Sequence, residues 1–221
     1  MIVAEDLGLE NLTVYQDDEL YCFTSDSVLL SKFASVKAND VVADFCSGSG
    51  IVGFYLYGLH KTAIKSVTLF EMQKPLYDLS IKSIQKNGLE ERFVAVNKKL
   101  QDLGNDYAGK FSLIVCNPPY MPVNAGERDK EEHIAVCRTE LTLKLNEIIQ
   151  VASKSLKFGG RLAMCHRADR LVEVLCEMRK NNIEPKRLQM IYGSSKKPYL
   201  FTVEGVKGGK VGIDVLSDLK N

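Results

Sequence analysis

Short apolar runs alternate along this chain with longer stretches in which apolar residues recur every three or four positions. The runs are Asp40 to Cys46 (with Val41, Val42, Ala43 and Phe45), Ser66 to Phe70, Arg92 to Val96, Phe111 to Cys116 and 161–166. Each is brief and bounded by polar or glycine-containing sequence, the signature of buried strands. Helices are expected from the glycines after Cys46 through Leu59, over 74–87 with Gly88 as the stop, over 141–156 and over 169–181. Two further strands, 187–192 and 199–204, close the core, and a short hairpin is expected at the end of the chain. Ahead of the first run, Leu12 to Phe23 reads as a hairpin turned at Asp17-Asp18. A helix carrying Val28, Leu29, Leu30 and Phe33 follows, capped by Ser25 or Asp26.

Strands alternating with helices predict an α/β fold: a mostly parallel, seven-stranded, doubly wound sheet with helices on both faces. Ligands of such sheets bind outside the carboxyl ends of the strands, where the strand order reverses. Three polar features, at 44–50, at 71 and at 117–120, all fall at predicted carboxyl ends. With 221 residues, 45% of them hydrophobic, the chain fits one domain over 1–221, a hairpin-and-helix extension to 36 and a core from 37 onward. No apolar run approaches the roughly 20 residues of a membrane span. The acidic opening Met1 to Glu10 has no secretory-signal pattern. Six cysteines without a CxxC pair predict buried, reduced thiols and a cytoplasmic protein. A monomer is the favoured state.

Asp44-Phe45-Cys46-Ser47-Gly48-Ser49-Gly50 is a strand end breaking into a glycine turn before a helix. Glycine lets backbone approach a ligand or take φ > 0, and the helix offers free N–H groups. Gly48 to Gly53 has the GxGxxG spacing of a nicotinamide loop. Asp44 argues against that reading, because an acid beside the loop repels a pyrophosphate and suits a cationic ligand end. Glu71 closes the second strand about 20 residues on, where a carboxylate takes two ribose hydroxyls. On these residues the chain resembles the class I, Rossmann-like methyltransferases. The resemblance implies S-adenosyl-L-methionine as cofactor, with Asp44, Cys46, Gly48 and Gly50 around its methionyl part and Glu71 with Met72 at its ribose. Lys99 stands where the family often has an acid near the cofactor's adenine amine, leaving Asp102 or a backbone carbonyl for that contact.

Asn117-Pro118-Pro119-Tyr120 follows the fourth strand. Two prolines fix φ twice and remove two donors, making a stiff stub with outward carbonyls. An amine conjugated to a ring is a poor nucleophile. The Asn117 side-chain oxygen and the Pro118 carbonyl can each accept one of its protons and orient the nitrogen lone pair, while Pro119 and Tyr120 meet the planar substrate, Tyr120 by stacking. The segment resembles that of enzymes methylating exocyclic amines of bases or the glutamine side-chain amide.

Phe23-Thr24-Ser25-Asp26-Ser27-Val28-Leu29-Leu30 resembles the Thr-Asp-x-x-Leu-Leu segment of bacterial enzymes that methylate the adenine after the anticodon of valine tRNA. This implies Thr24, Asp26 and Asn117 as further cofactor neighbours. His166-Arg167-Ala168-Asp169-Arg170 and Ile183-Glu184-Pro185-Lys186-Arg187 are similar to the Gram-positive branch of that group. The resemblance implies methyl transfer to the 6-amino group of adenine in RNA, with tRNA as substrate. Residues 1–143 carry a net charge of −6 and 144–221 of +7. A basic half suits a polyanionic partner, with Arg161, Arg167, Arg170, Lys186, Arg187, Lys196 and Lys197 as phosphate contacts and Arg167 and Arg170 foremost. His133 reads as a residue of the polar 121–140 loop, since the methylated ammonium loses its proton without a base. Competing readings are a protein glutamine methyltransferase, a non-catalytic cofactor- or RNA-binding module, and a nicotinamide oxidoreductase.

Overall fold

The computed structural model describes residues 1–9, 11–20, 25–118 and 143–221. Cys22, Thr24, Pro119, Tyr120, His133, Cys137 and the 121–140 stretch lie outside the described residues, as do the first residues expected in the 141–156 helix.

The chain opens with a hairpin of β1 (Ile2–Asp6) and β2 (Thr13–Asp17), paired antiparallel from Ile2↔Asp17 to Asp6↔Thr13. Leu7 N–H donates to the Leu12 carbonyl at 2.9 Å where this hairpin closes, and β2 ends at Asp17 in a turn in which Leu20 N–H donates to the Asp17 carbonyl at 3.0 Å; residues 21–23 of the expected hairpin lie outside the described residues. The Asp6 carboxylate accepts the Gly8 N–H at 2.9 Å, and Gly8 and Asn11 take positive φ, the chemistry of a tight turn. β1 is exposed at every position, so it has no apolar alternation by which sequence could detect it. β2 alternates, with Val14 fully buried.

The main sheet runs β5 (Phe93–Asn97), β4 (Ile64–Glu71), β3 (Asp40–Phe45), β6 (Phe111–Cys116), β7 (Leu156–Arg167), β9 (Pro198–Lys207) and β8 (Ile183–Tyr192). The pairs among β3 to β7 are parallel, and β9 is antiparallel to both its neighbours. β10 (Asp214–Val215) and β11 (Leu219–Lys220) each pair in parallel with β8, giving nine strands among the described residues. The expected terminal hairpin is thus replaced by two short segments that cover the open edge of β8.

One face carries α1 (Ser25–Phe33), α2 (Ile51–Leu59) and α3 (Lys74–Lys86), packed through Leu30, Phe54, Leu56 and Ile84. The other carries α4 (Leu145–Ser155) and α5 (Leu171–Lys180), packed through Ile148, Ile149, Val174 and Met178. Strand residues alternate between these faces: Val42 joins the first core and Ala43 the second. In α4 the apolar positions Leu145, Ile148, Ile149 and Ala152 form one stripe, and Glu147 caps its start by accepting the Lys144 N–H at 2.8 Å. Gly88, at φ 62°, ends α3 as its position suggested. Among the described residues no helix is long and apolar enough to cross a membrane.

At the amino end of β3 lies a buried polar network. Arg161 is 3% exposed and bonds both oxygens of Asp40, at 2.6 and 2.7 Å, and the Ser35 carbonyl at 2.7 Å. Arg161 is therefore not a phosphate contact: its charge is consumed inside the sheet. Ser112 donates to Asp40 at 2.7 Å, and Glu204 accepts the Ser35 N–H at 2.8 Å. Arg187, also expected at phosphates, bonds the Phe33 carbonyl at 3.1 Å and lies over the Phe33 ring at 4.8 Å. These groups anchor the segment after α1 to β3, β7, β8 and β9. Removing one partner of a buried pair strands the other charge, so Arg161→Ala is expected to lower stability by about 3–5 kcal/mol in denaturant melts. The Arg161→Leu/Asp40→Ala double variant should recover much of that loss.

Candidate active site

After Phe45 the backbone turns left-handed three times: Cys46 at φ 57°, Gly48 at φ 57° and Gly50 at φ 93°. A Cβ on Gly50 would lie 2.8 Å from the Leu69 side chain, and one on Gly53 would lie 2.6 Å from it. These two glycines let the start of α2 press onto β4. A Cβ on Gly48 would meet nothing within 4 Å among the described residues.

Asp44, next to last in β3, is fully buried, and its Oδ2 accepts the Gly53 N–H at 2.8 Å. Its Oδ1 has no hydrogen-bond partner among the described residues, and neither does the buried Ser47 hydroxyl. Burial pushes the Asp44 carboxyl up to about 8, aided by the nearby Glu71 and opposed by the Gly53 N–H. Glu71, at the end of β4, accepts the Gly48 N–H at 2.9 Å and the Gln73 N–H at 2.8 Å. It thereby ties the glycine loop to the neighbouring strand end. Burial raises its carboxyl above the usual range as well, against the pull of the Gln73, Gly48 and Met72 amides.

β6 pairs with β3 in register from Val42↔Leu113 to Phe45↔Cys116, which sets Asn117 beside the start of the glycine loop. Asn117 is half-buried, and its Nδ2 donates to the Ser27 hydroxyl of α1 at 3.1 Å. Pro118 is buried next to it. Asp44, Cys46, Gly48, Gly50, Glu71 and Asn117 thus come together at the switch point, where β4 and β5 lead away from β3 on one side and β6 returns on the other.

Asp26 is half-buried in the first turn of α1, and Met72 is half-buried just beyond Glu71. Thr24, Pro119 and Tyr120 lie outside the described residues. Lys99 and Asp102 are both exposed beyond β5. Three contributors had weaker signals in the sequence. Gly53 was visible only as the third glycine of GxGxxG. Asn97 holds the Glu71 and Met72 carbonyls at 2.9 and 3.0 Å. Ser27 is a polar residue among apolar helix neighbours.

Arg167 and Arg170 sit at the carboxyl end of β7, paired with Asp169 at 2.7 Å and with Glu173. His166 is buried, and burial, with Arg170, drives its pKa down to about 4, so it is neutral and packs on Phe201. Lys186 bonds the Lys210 and Gly212 carbonyls at 3.2 and 2.6 Å, occupying another expected phosphate contact. Lys196 and Lys197 are exposed between β8 and β9. Of the described cysteines, Cys116 and Cys165 are buried as expected, whereas Cys46 is half-buried and Cys176 is exposed. Burial of Cys176 is thus corrected: it lies on the solvent side of α5, away from the stripe of Val174 and Met178. Among the described residues no group of His, Cys, Asp and Glu is arranged to hold a metal ion.

Residues 13–181 match the family model of the methyltransferase small domain. The chain belongs to this methyltransferase family. It is 25% identical to the tRNA1(Val) (adenine(37)-N6)-methyltransferase of Flavobacteriaceae bacterium strain 3519-10, over 85% of this chain and 83% of the relative. It is 30% identical to the release factor glutamine methyltransferase of Leptospira interrogans, over 62% of this chain and 49% of that relative. The crystal structure of a predicted O-methyltransferase from Agrobacterium tumefaciens superposes with a TM-score of 0.69 at 16% identity, covering 88% of this chain and 86% of the other, which supports the fold.

The methyltransferase site fits the cofactor its sequence implied. A buried carboxylate oxygen with no partner among the described residues suits a cationic aminoacyl end, and no described residue crowds the open side of Gly48. The unfolded chain releases the Asp44 proton near 3.8 and the folded chain near 8. Stability of the ligand-free protein is therefore expected to fall as pH rises between these values. Asp44→Asn should flatten that slope in thermal melts and raise stability by roughly 2 kcal/mol at the alkaline end. The same variant should weaken S-adenosylmethionine binding measured by calorimetry, because no carboxylate then faces the cation.

Proposed function

We propose that this methyltransferase transfers a methyl group from S-adenosylmethionine to the 6-amino group of adenine in RNA, with tRNA as its substrate. The observation that carries the reading is the position of Asn117 and Pro118 beside the Asp44–Gly50 loop, across one switch-point crevice. When bound, the cofactor supplies an electrophilic methyl on a sulfonium. Asp44 neutralises its cationic end, Gly48 and Gly50 allow backbone approach, and Glu71 takes ribose hydroxyls. Asn117 Oδ1 and the Pro118 carbonyl accept the two amine protons and aim the nitrogen lone pair at the methyl. Tyr120 stacks on the base. Arg167 and Arg170, with Lys196 and Lys197, contact RNA phosphates from the same end of the sheet. The chain works as one domain in the cytoplasm, with Asp102 near the cofactor adenine.

The relative named as acting on adenine 37 of a valine tRNA, aligned over most of both chains, supports this substrate. The release factor relative favours a second reading, methylation of a glutamine amide, over a shorter alignment. Incubation with methyl-labelled S-adenosylmethionine and tRNA lacking the modification is expected to place label in 6-methyladenosine. Label in a release factor glutamine, with none in RNA, would transfer the assignment to the second reading.

Asn117→Ala is expected to lose turnover while binding cofactor nearly as well as the wild type. Loss of cofactor binding with unchanged turnover per bound cofactor would remove Asn117 from this role. Arg170→Ala should weaken tRNA binding chiefly at low salt and reduce the slope of log affinity against log salt by about one.

A further inference from the structure

We propose that Tyr199 is a stacking platform for an unpaired base of the RNA next to the methylated adenine, with Lys196 and Lys197 at the adjoining phosphates. The inference rests on the reading of RNA as substrate above. Surfaces that take single strands combine free cations with aromatic rings, because every base has a π-face and every nucleotide a charge. Among the described residues the exposed aromatic rings are Phe158 and Tyr199, at 79% and 40%. Phe158 lies near the start of β7, at the end of the sheet away from the site, and its ring packs against Gly208. Tyr199 lies at the opposite end. β7 is parallel to β6 and ends at Arg167, whose register partner in the antiparallel β9 is Leu200. β8 is antiparallel to β9 and ends there too, with Tyr192 paired to Pro198. The turn at 193–197 and Tyr199 therefore share one end of the sheet with the glycine loop and Asn117. Two strand spacings, about 10 Å, separate β9 from β6, a span that a neighbouring nucleotide of an extended strand covers.

The ring is held in place. Its hydroxyl bonds the Asn221 side-chain amide at 2.7 Å, and the same amide bonds Ser25 Oγ at 2.7 Å, at the start of α1. The next residues, Leu200 and Phe201, are buried, so the exposure belongs to this ring and not to a frayed strand end. Gly193 packs beside the ring with no side chain to cover it: a Cβ there would lie 3.8 Å from Tyr199 Cδ1 and Cε1. Lys196 and Lys197 are exposed, and neither ammonium has a partner among the described residues. The Ser195 hydroxyl accepts the Lys197 N–H at 3.1 Å and shapes the turn that presents them. Arg167 and Arg170, at the same end, are instead paired with Asp169 and Glu173. A ring already fixed loses little freedom on stacking, and two free cations beside it favour a polyanion over a peptide.

The test measures binding of the full chain to tRNA lacking the modification, by fluorescence anisotropy over a salt series. Tyr199→Ala is expected to weaken binding about 5- to 150-fold, by the same factor at low and at high salt, because stacking neutralises no phosphate. Tyr199→Phe keeps the ring and loses only the bond to Asn221, so its affinity should stay within roughly threefold of the wild type. Tyr199→Leu keeps apolar bulk without a π-face and should lose affinity as the alanine variant does. It carries the test if the alanine variant does not fold. The Lys196→Ala/Lys197→Ala double variant should weaken binding chiefly at low salt and reduce the slope of log affinity against log salt by about one to two. Phe158→Ala, which removes the exposed ring at the other end of the sheet, should bind as the wild type does. A folded Tyr199→Ala with wild-type affinity, a Tyr199→Phe as weak as Tyr199→Ala, a Tyr199→Leu as tight as Tyr199→Phe, or an equal loss in Phe158→Ala would overturn the inference. A wild-type protein that binds no tRNA and labels a release factor glutamine would instead overturn the reading on which it rests, so the two failures are told apart.

Discussion

The parallel pairing of β3 with β6 is the constraint on which the site depends. These strands are separated by two βα units in the chain, yet Phe45 and Cys116 are register partners. Parallel strands with crossover helices send their carboxyl ends the same way, so both strands release their loops on one side of the sheet. The loop after β3 is glycine-rich and ends at a helix start, and the loop after β6 is stiffened by proline. A one-residue slip would turn Asp44 to the opposite face of β3, away from Gly53. The apolar alternation that divides Val42 from Ala43 resists that slip by burying both faces.

Asp44 illustrates how a functional group works against the fold that holds it. A carboxylate near the end of a buried strand, bonded through one oxygen and with no partner for the other among the described residues, is costly in an apolar setting. Its proton stays on to about 8, so Asp44 adds no charge beside Glu71 in the ligand-free site at neutral pH. A cation arriving at that oxygen reverses the balance and favours the charged form. The cost carried by the empty fold would, in the proposed role of Asp44, be a source of selectivity for a positively charged cofactor end. The sequence argument against a pyrophosphate has the same origin.

The basic distal half divides into two populations with different jobs. Arg161 and Arg187 point inward and fasten the segment after α1 to the sheet. Arg167 and Arg170 stay at the carboxyl end of β7, each already paired with an acid on its own turn. Arg167 and Arg170, like the exposed Lys196 and Lys197, remain accessible at that end of the sheet, and the inward population holds the helix that bears Ser27. A count of charges along the chain records both groups alike.

Much of this was legible in the chain alone. The alternation of strand runs and helical stripes determined the α/β order, because burial on both faces imposes periodicity that local sequence cannot hide. The residue types of Asp44, Gly48, Gly50, Glu71, Asn117 and Pro118 marked the donors, acceptors and turn positions gathered at the strand ends, because each needs no neighbour to reveal its donor, acceptor or conformational character. Tertiary structure alone decided the pairing of β1, whose exposed residues leave no apolar trace, and the lacing of β10 and β11 along β8, which depends on an edge left open by strands far away in sequence. It also decided that Arg161 meets Asp40 and that Ser27 meets Asn117. Contacts across 121 and 90 residues are set by packing of whole elements, and nothing in the local sequence of either partner records the other.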